Sequence, residues 1–189
     1  MIDFIEDTNR GYPHRTYLNA KAGDATLIFA VDNTTSGEKC TLTACSKYNK
    51  KAFAFDINDN GRLGERQQEK INECIRTLKE ENLCNLNIAG NGMYTFGKHG
   101  ISQERVDELV YNFLKHLIDN GCNISSVRSG GQTGADEAGL KAGERLGLKT
   151  VCLCPRTWRF RGASGIDIAD KELFIKRFEN IAGNGRNKE

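Results

Sequence analysis

The sequence predicts an α/β protein, a three-layer Rossmann-like sandwich with a mainly parallel sheet of about five or more strands. Short apolar runs bounded by turn residues alternate with segments of helical period, which is the pattern of βα units around a parallel sheet. Glycine-rich stretches follow several of these runs, where the carboxyl ends of the strands would lie. The 189 residues contain no linker rich in Pro, Gly and Ser, so we expect a single domain over residues 1–189.

Five apolar runs predict the strands of this sheet. They occupy residues 24–31, 51–57, 86–90, 124–129 and 149–154. Each is short and flanked by turn residues or helical segments, which favours buried strands, and Pro155 ends the last one.

Five further segments predict helices, at residues 38–48, 63–82, 102–121, 135–147 and 170–181. The segment 102–121 has the clearest pattern, because Ser102 suits an N-cap and Gly121 a C-terminal stop. The letters NIAGNG occur at residues 87–92 and again at 180–185. We interpret the second copy as a glycine stop after the last helix, and the match as coincidence.

Composition argues against two kinds of partner. Lysine and arginine number 27 against 25 aspartate and glutamate, a formal net charge of +2, so the chain lacks the basic excess of a dedicated nucleic-acid-binding protein. Its apolar runs are far shorter than the ~20 residues that span a bilayer, and the opening MIDFIEDTNRG is unlike a signal peptide. We expect a soluble cytoplasmic protein without membrane partners. The composition is compatible with a homo-oligomer.

The seven cysteines predict reduced thiols rather than a disulfide framework or a metal site. Their number is odd, and several lie in apolar strand or helix contexts. Cys152 and Cys154 form only a C-x-C pair, with no second pair at zinc-ligand spacing, so no metal is expected.

The stretch RSGGQTGADEAG, from Arg128 to Gly139, is the clearest candidate for a ligand-binding loop. It lies between a predicted strand and a predicted helix, so its backbone amides and the helix N-terminus would face an anion. The expected ligand-binding residues are Ser129, Gly130, Gly131, Gln132, Thr133 and Gly134. The alternative is a tight turn, but four glycines and a Gln-Thr pair exceed what a turn requires.

Two carboxylates, Asp136 and Glu137, lie in the first turn of the following helix. They suit a ribose hydroxyl, an amino group or a metal-bridged ligand better than a bare phosphate, although either could simply favour the helix dipole. Both are candidate catalytic residues, as a general base or a ribose anchor, and Asp136 is also a candidate ligand-binding residue.

A second loop follows the strand 86–90, where Gly90, Asn91 and Gly92 form a G-x-G stretch suited to close backbone approach. Tyr94 and Phe96 come next. They either stack on a base or belong to the core, and the sequence slightly favours the core.

Two more stretches follow strands. The loop 32–41 offers hydroxyl groups together with Ser36 and Gly37 as candidate ligand contacts. After the last strand, Arg156, Arg159 and Arg161 surround Trp158. Such a cluster either clamps phosphates and stacks a base, with Arg156 as a candidate ligand-binding residue, or forms a surface loop packed by the tryptophan.

The stretch SGGQTGADEAGLKAGERLGLKTVCLCP resembles the core motif of the molybdenum-carrier branch of the SLOG superfamily, SGGQTGxDxAAL followed by a strand and Cys-Pro. NIAGNGMYTF and the long helix after it are similar to the first strand and helix of wider SLOG proteins, which include DNA-processing proteins and the lonely-guy phosphoribohydrolases. The resemblance implies a Rossmann-like fold and a pocket for a nucleotide or a molybdopterin-type cofactor.

The segment YPHRTYLNAKAGDATLIFA, residues 12–30, is similar to a part of that branch which follows the SGGQTG unit, whereas here it precedes that unit. This order implies a circular permutation, in which residues 12–57 match the family's carboxyl half and residues 84–181 its amino half. The resemblance assigns Gly130, Gly131, Gln132, Thr133, Gly134 and Asp136 to the ligand loop, and Arg15, Thr16 and Asn19 to the other half of the pocket.

The chain also departs from the family. SGEKCT at residues 36–41 replaces a Gly-Gly-Thr loop, and the phosphoribohydrolase signature P-G-G-x-G-T-x-x-E is absent from the sequence, which weakens an N-glycosidase assignment. The first hypothesis is therefore a protein that binds a nucleotide-like ligand as carrier, sensor or sequestering protein. The second is a hydrolase of an N-glycosidic or phosphoester bond in a nucleotide, and the third is binding of single-stranded nucleic acid.

Overall fold

The computed structural model describes residues 1–9, 11–179 and 181. Within these ranges the strands are β1 (Ile2–Glu6), β2 (Ala25–Ala30), β3 (Lys51–Asp56), β4 (Asn85–Gly90), β5 (Ser126–Ser129), β6 (Lys149–Cys154), β7 (Arg159–Arg161) and β8 (Asp167–Ala169). The helices are α1 (Tyr12–Ala22), α2 (Ser36–Lys47), α3 (Gln68–Glu80), α4 (Met93–Lys98), α5 (Gln103–Asp119), α6 (Ala135–Arg145) and α7 (Lys171–Lys176). Two short 3-10 turns precede α3 and β7.

Six strands form one parallel sheet in the order β1-β6-β5-β4-β2-β3. From the centre of this sheet the chain advances in one direction through β4, β5 and β6, and in the other through β2 and β3. The direction therefore reverses between β2 and β4, and ligands of open parallel sheets bind at the carboxyl ends of strands at such a switch point. β7 and β8 form a separate antiparallel hairpin.

Helices cover both faces of the sheet, which confirms the predicted Rossmann-like sandwich. The larger core lies between the sheet and α3, α5 and α6, where Phe29, Phe55 and Phe113 pack with ring centroids 4.6 to 5.6 Å apart. It continues beside β6 and β1 as a smaller cluster around Phe174 of α7. On the opposite face α1 and α2 form a cluster centred on Ala20 and Ala44.

All five predicted strands and all five predicted helices are present, with ends that shift by a few residues. The last helix is shorter than the predicted 170–181. It ends before Arg177, whose side chain bonds Glu137 and the carbonyl of Gly131. The second NIAGNG copy at 180–185 lies, except for residue 181, outside the described residues.

The sequence patterns did not predict β1, α1, α4 or the hairpin β7–β8. The single-domain organisation and the cytoplasmic location stay predictions. Among the described helices, none combines the length and apolar character that crossing a bilayer requires.

Candidate functional site

An open cleft of about 350 Å³ lies at the switch point, over the carboxyl ends of β2, β4 and β5. Its walls come from the loops that follow β2, β4 and β5, the first residue of α1 and the hairpin β7–β8. The lining residues are Tyr12, Thr35, Gly37, Glu38, Gly90, Asn91, Gly92, Tyr94, Thr95, Gln132, Thr133, Asp136, Arg159, Arg161 and Asp167. The structure thus brings together residues from all the stretches that the sequence singled out.

Two glycines allow the loops after β4 and β5 to pack backbone against backbone. Gly90 has a φ of +146°, and a β-carbon there would lie 1.9 Å from the carbonyl oxygen of Phe29. Gly134 has a φ of +82°, and its β-carbon would lie 2.3 Å from the carbonyl oxygen of Asn91. No other residue type fits either position, because both the space and the backbone conformation exclude a side chain.

The side chain of Asn91 is used to join the two central strands. Its Oδ1 accepts hydrogen bonds from the backbone N–H groups of Val31 and Asp32, each at 2.9 Å, and its Nδ2 donates to the carbonyl of Asp32 at 3.0 Å. Asn91 therefore fixes the shape of the cleft at the ends of β2 and β4.

Gln132 and Thr133 hold the hairpin against the loop. The Gln132 side chain donates from Nε2 to the carbonyl of Arg159 at 2.9 Å and accepts at Oε1 from the N–H of Arg161 at 3.3 Å. The Thr133 hydroxyl donates to the carbonyl of Arg161 and accepts from the N–H of Met93. Gln132 and Thr133 thus hold the hairpin in place and also line the cleft.

The hairpin places two arginines at the rim of the cleft. Along β7, Arg159 and Arg161 face outward with 54% and 50% of their side-chain surface exposed, while Phe160 between them is buried. Both guanidinium groups lie near Asp167 of β8, Arg161 at 2.7 Å and Arg159 at 3.8 Å. Two exposed cations at one rim are suited to bind phosphate oxygens.

Replacing Gln132 by alanine is expected to loosen the hairpin. Loss of its two side-chain hydrogen bonds should make the Arg161 amide exchange with solvent about five- to tenfold faster, measured by hydrogen–deuterium exchange. The control is Gln68→Ala, because the Gln68 side chain bonds Asn72 on its own helix. Equal exchange at Arg161 in both variants would show that Gln132 does not hold the hairpin.

Two carboxyl groups line the cleft, those of Asp136 and Glu38. Asp136 is partly accessible through the cleft, yet burial of its carboxyl raises its pKa to about 6, against the lowering influence of Arg15 and of the Gln132 N–H. Burial also raises the pKa of Glu38, and the charge of Asp136 adds to this effect. Each of these carboxyl groups therefore keeps its proton to a higher pH than an ordinary Asp or Glu.

Tyr12 stands beside these carboxyl groups at the start of α1. Tyr12 is 44% exposed overall, but its hydroxyl lies near Gly37, and burial of the phenol group together with the charges of Asp136 and Glu38 raises its pKa to about 12. The phenol therefore stays protonated and can donate a hydrogen bond into the cleft.

Arg15 and Asn19 of α1 reach the glycine loop, as the resemblance implied. A β-carbon at Gly130 would lie 2.7 Å from Oδ2 of Asp136, 3.1 Å from Nε of Arg15 and 3.7 Å from Nδ2 of Asn19. These four residues also line a small recess behind the cleft. The amino and carboxyl portions of the chain therefore build this site together.

Glu137 lies elsewhere, since it is buried and does not line the cleft. Its two carboxylate oxygens pair with Lys141 at 2.6 Å and with Arg177 at 2.7 Å. Lys141 also pairs with Asp107 of α5 at 2.7 Å. This chain of ion pairs fastens α6 to α5 and to the residues after α7.

Three other candidates have structural contacts of their own. Ser129 is fully buried and donates to the carbonyl of Ile88 at 2.7 Å. Gly131, at a φ of +72°, packs against Cys152 and Phe174. Ser36 begins α2 but does not line the cleft, whereas its neighbours Thr35 and Gly37 do.

The residues of the Arg/Trp cluster after β6 do not all lie at the cleft. Trp158 packs between Phe4 and Phe174 and donates from Nε1 to Glu6 at 3.1 Å. Arg156 points to the carbonyl of Thr8 and lies outside the cleft lining, so only Arg159 and Arg161 reach the cleft.

Several cleft residues were not among the sequence candidates: Tyr12, Glu38, Thr95 and Asp167. One sequence feature could have identified Glu38 as a cleft residue, namely its position in the first turn of a helix that follows a strand. Phe96 is buried in the core, as the sequence favoured, but Tyr94 is 42% exposed on the cleft wall. Within the described ranges, no three His, Cys, Asp or Glu side chains are grouped to hold a metal ion.

Comparison with known families finds one match. A family model described as the circularly permutated YpsA SLOG family matches residues 3–117, from β1 to α5. The SGGQTG loop lies beyond the matched residues. No curated protein and no solved structure matches the chain.

Proposed function

Because the chain belongs to the circularly permutated YpsA SLOG family, we propose that its cleft binds a small nucleotide-like ligand, as a carrier, sensor or sequestering protein. Family membership confirms the SLOG resemblance and the permuted order. The observation that carries the proposal is the position of the cleft, at the switch point of a parallel sheet, with glycine loops at its floor and two arginines at its rim.

The cleft offers separate contacts for the parts of a nucleotide. Arg159 and Arg161 suit phosphate oxygens, and the exposed ring of Tyr94 offers a face on which a flat base can stack. A molybdopterin-type cofactor contains the same two parts, a flat heterocycle and a phosphate. These contacts therefore fit either ligand.

The two carboxyl groups with raised pKa favour hydrolysis as a second candidate function. Asp136 has a pKa of about 6, which suits a general base near neutral pH, and the raised pKa of Glu38 suits a general acid. The bond cleaved would be an N-glycosidic or phosphoester bond of the bound nucleotide. No comparable observation favours single-stranded nucleic acid, because Trp158 is packed against the core.

A thermal-shift panel of nucleotides, dinucleotides and pterins tests the proposal, with each bound compound analysed after incubation. A ligand at about 100-fold above its Kd should stabilise the fold by about 2.7 kcal/mol and raise the melting temperature by several degrees. A ligand that emerges unchanged supports a carrier or sensor, whereas release of base or phosphate supports the hydrolase. A panel without any shift would contradict both.

A pair of arginine variants locates the binding site in the same experiment. Arg161→Ala should weaken binding at least about tenfold, because it removes a charged contact at the cleft rim. Arg156→Ala is the matched control, since Arg156 lies outside the cleft lining. Equal losses in the two variants would place the ligand elsewhere.

A further inference from the structure

A small polar recess opens from the wall of the cleft behind Gly130. Its volume is about 20 Å³, and it shares Tyr12 and Asp136 with the cleft. The remaining lining residues are Arg15, Thr16, Asn19, Thr41, Asn87, Ile88, Ala89 and Gly130. This space holds one group about the size of a water molecule, and it is too small for a phosphate.

Arg15 is the notable residue of this recess, because its charge is largely buried beside the Asp136 carboxyl. Only 6% of its surface is exposed, and its charge acts to lower the pKa of the nearby Asp136 and Asp7 carboxyls. Its guanidinium lies 5.5 Å from the centre of the Tyr12 ring. A largely buried cation is stabilised by a ligand that supplies it with a hydrogen-bond acceptor.

Asp136 supplies a hydrogen-bond acceptor to the same recess, next to the Arg15 donor. Its Oδ2 and the Arg15 Nε both approach the space where a Gly130 β-carbon would stand, so a donor and an acceptor face the same small volume. A phosphate or carbonyl oxygen can only accept and would meet the Asp136 carboxylate, while an amino group would meet the Arg15 charge. A hydroxyl group satisfies both, because it accepts from Arg15 and donates to Asp136.

We propose that this recess binds a sugar hydroxyl of the ligand, so that the cleft selects ribonucleotides over their deoxy counterparts. The inference rests on the proposed nucleotide binding in the cleft. It gives Gly130 a specific role, since the missing side chain is what leaves room for the hydroxyl.

Calorimetric titration with nucleoside 5′-monophosphates, in ribose, 2′-deoxy and 3′-deoxy forms, tests the inference at pH 7.5. One of the two deoxy forms should bind about 10- to 100-fold more weakly than the ribose form, because it leaves Arg15 and Asp136 unmatched. Equal affinities of all three forms would contradict the binding of a sugar hydroxyl in the recess and leave the proposed nucleotide binding intact. Absence of binding by any form would overturn the proposed function itself.

Two variants separate the recess from the rest of the cleft. Gly130→Ala fills the recess and should reduce the difference between the forms to within about twofold, whereas Gly162→Ala should keep it, because a β-carbon at Gly162 meets no atom within 4 Å. Arg15→Met removes the donors at similar volume and should have the same effect as Gly130→Ala. Full selectivity in either recess variant would overturn the inference.

Discussion

Replacing Gly90 by alanine is expected to lower the free energy of unfolding by about 3 to 5 kcal/mol or to prevent folding. The new β-carbon would lie 1.9 Å from the Phe29 carbonyl oxygen and 2.9 Å from the Ala135 side chain, at a φ of +146° that L residues rarely adopt. The contact joins β2 to β4, the two central strands, and neither can move without breaking the sheet. Urea or guanidinium denaturation measures the loss.

Two other glycines provide matched controls for this variant. Gly100 has a φ of +69° but open space around it, so Gly100→Ala should cost only about 1 to 2 kcal/mol, the cost of the backbone conformation. Gly162 is subject to neither constraint, so Gly162→Ala should leave the free energy of unfolding nearly unchanged. If Gly90→Ala were no worse than Gly100→Ala, the close approach of the two strands would not be a source of stability.

Replacing Asp136 by asparagine is expected to stabilise the fold at pH 7 by about 1 to 3 kcal/mol while removing ligand selectivity and any hydrolysis. Burial raises the pKa of Asp136 from its ordinary 3.8 to about 6. Between these values the folded protein keeps a proton that the unfolded chain has lost, so this group's contribution to stability falls as the pH rises through 6. Asparagine removes that cost and still accepts from the Gln132 N–H.

The pH dependence of the effect separates it from an ordinary surface substitution. Denaturation at pH 4 and pH 7 should show the gain only at pH 7, because at pH 4 the wild-type carboxyl is largely protonated. The control is Asp167→Asn in the same cleft, where the hydrogen bond from Arg161 lowers the carboxyl pKa, so this variant should not gain stability. A gain of equal size at both pH values would contradict the assigned cause.

The strands and helices that could be predicted are those with an apolar pattern. β2 and α5 carry a continuous apolar run and an apolar stripe. β1 is an edge strand in which only Ile2 is buried, so its sequence shows no strand pattern. α1 buries Arg15, Asn19 and Ala20, and a helix whose buried residues are mostly polar has no apolar stripe to recognise.

The candidate site could be predicted only as far as single loops. Gly90 to Gly92 and Gly130 to Gly134 were recognisable because glycine-rich loops after strands face the same edge of a parallel sheet. The positions of Glu38 and Tyr12 depend on β2 lying beside β4. The order of strands in a sheet cannot be predicted from a local sequence pattern. The functions of Gln132 and Thr133 in holding the hairpin depend on a contact between loops, which the sequence does not display.

The pairing of β1 with β6 bears on how the protein folds during synthesis. Ile2 pairs with Thr150 and Phe4 with Cys152, so β1 leaves the ribosome well before its partner β6. At about 5 to 20 residues per second this interval lasts several seconds or longer, and such distant pairing slows folding. During that interval β2, β3 and β4 can already assemble, while β1 remains exposed to chaperones and to other nascent chains.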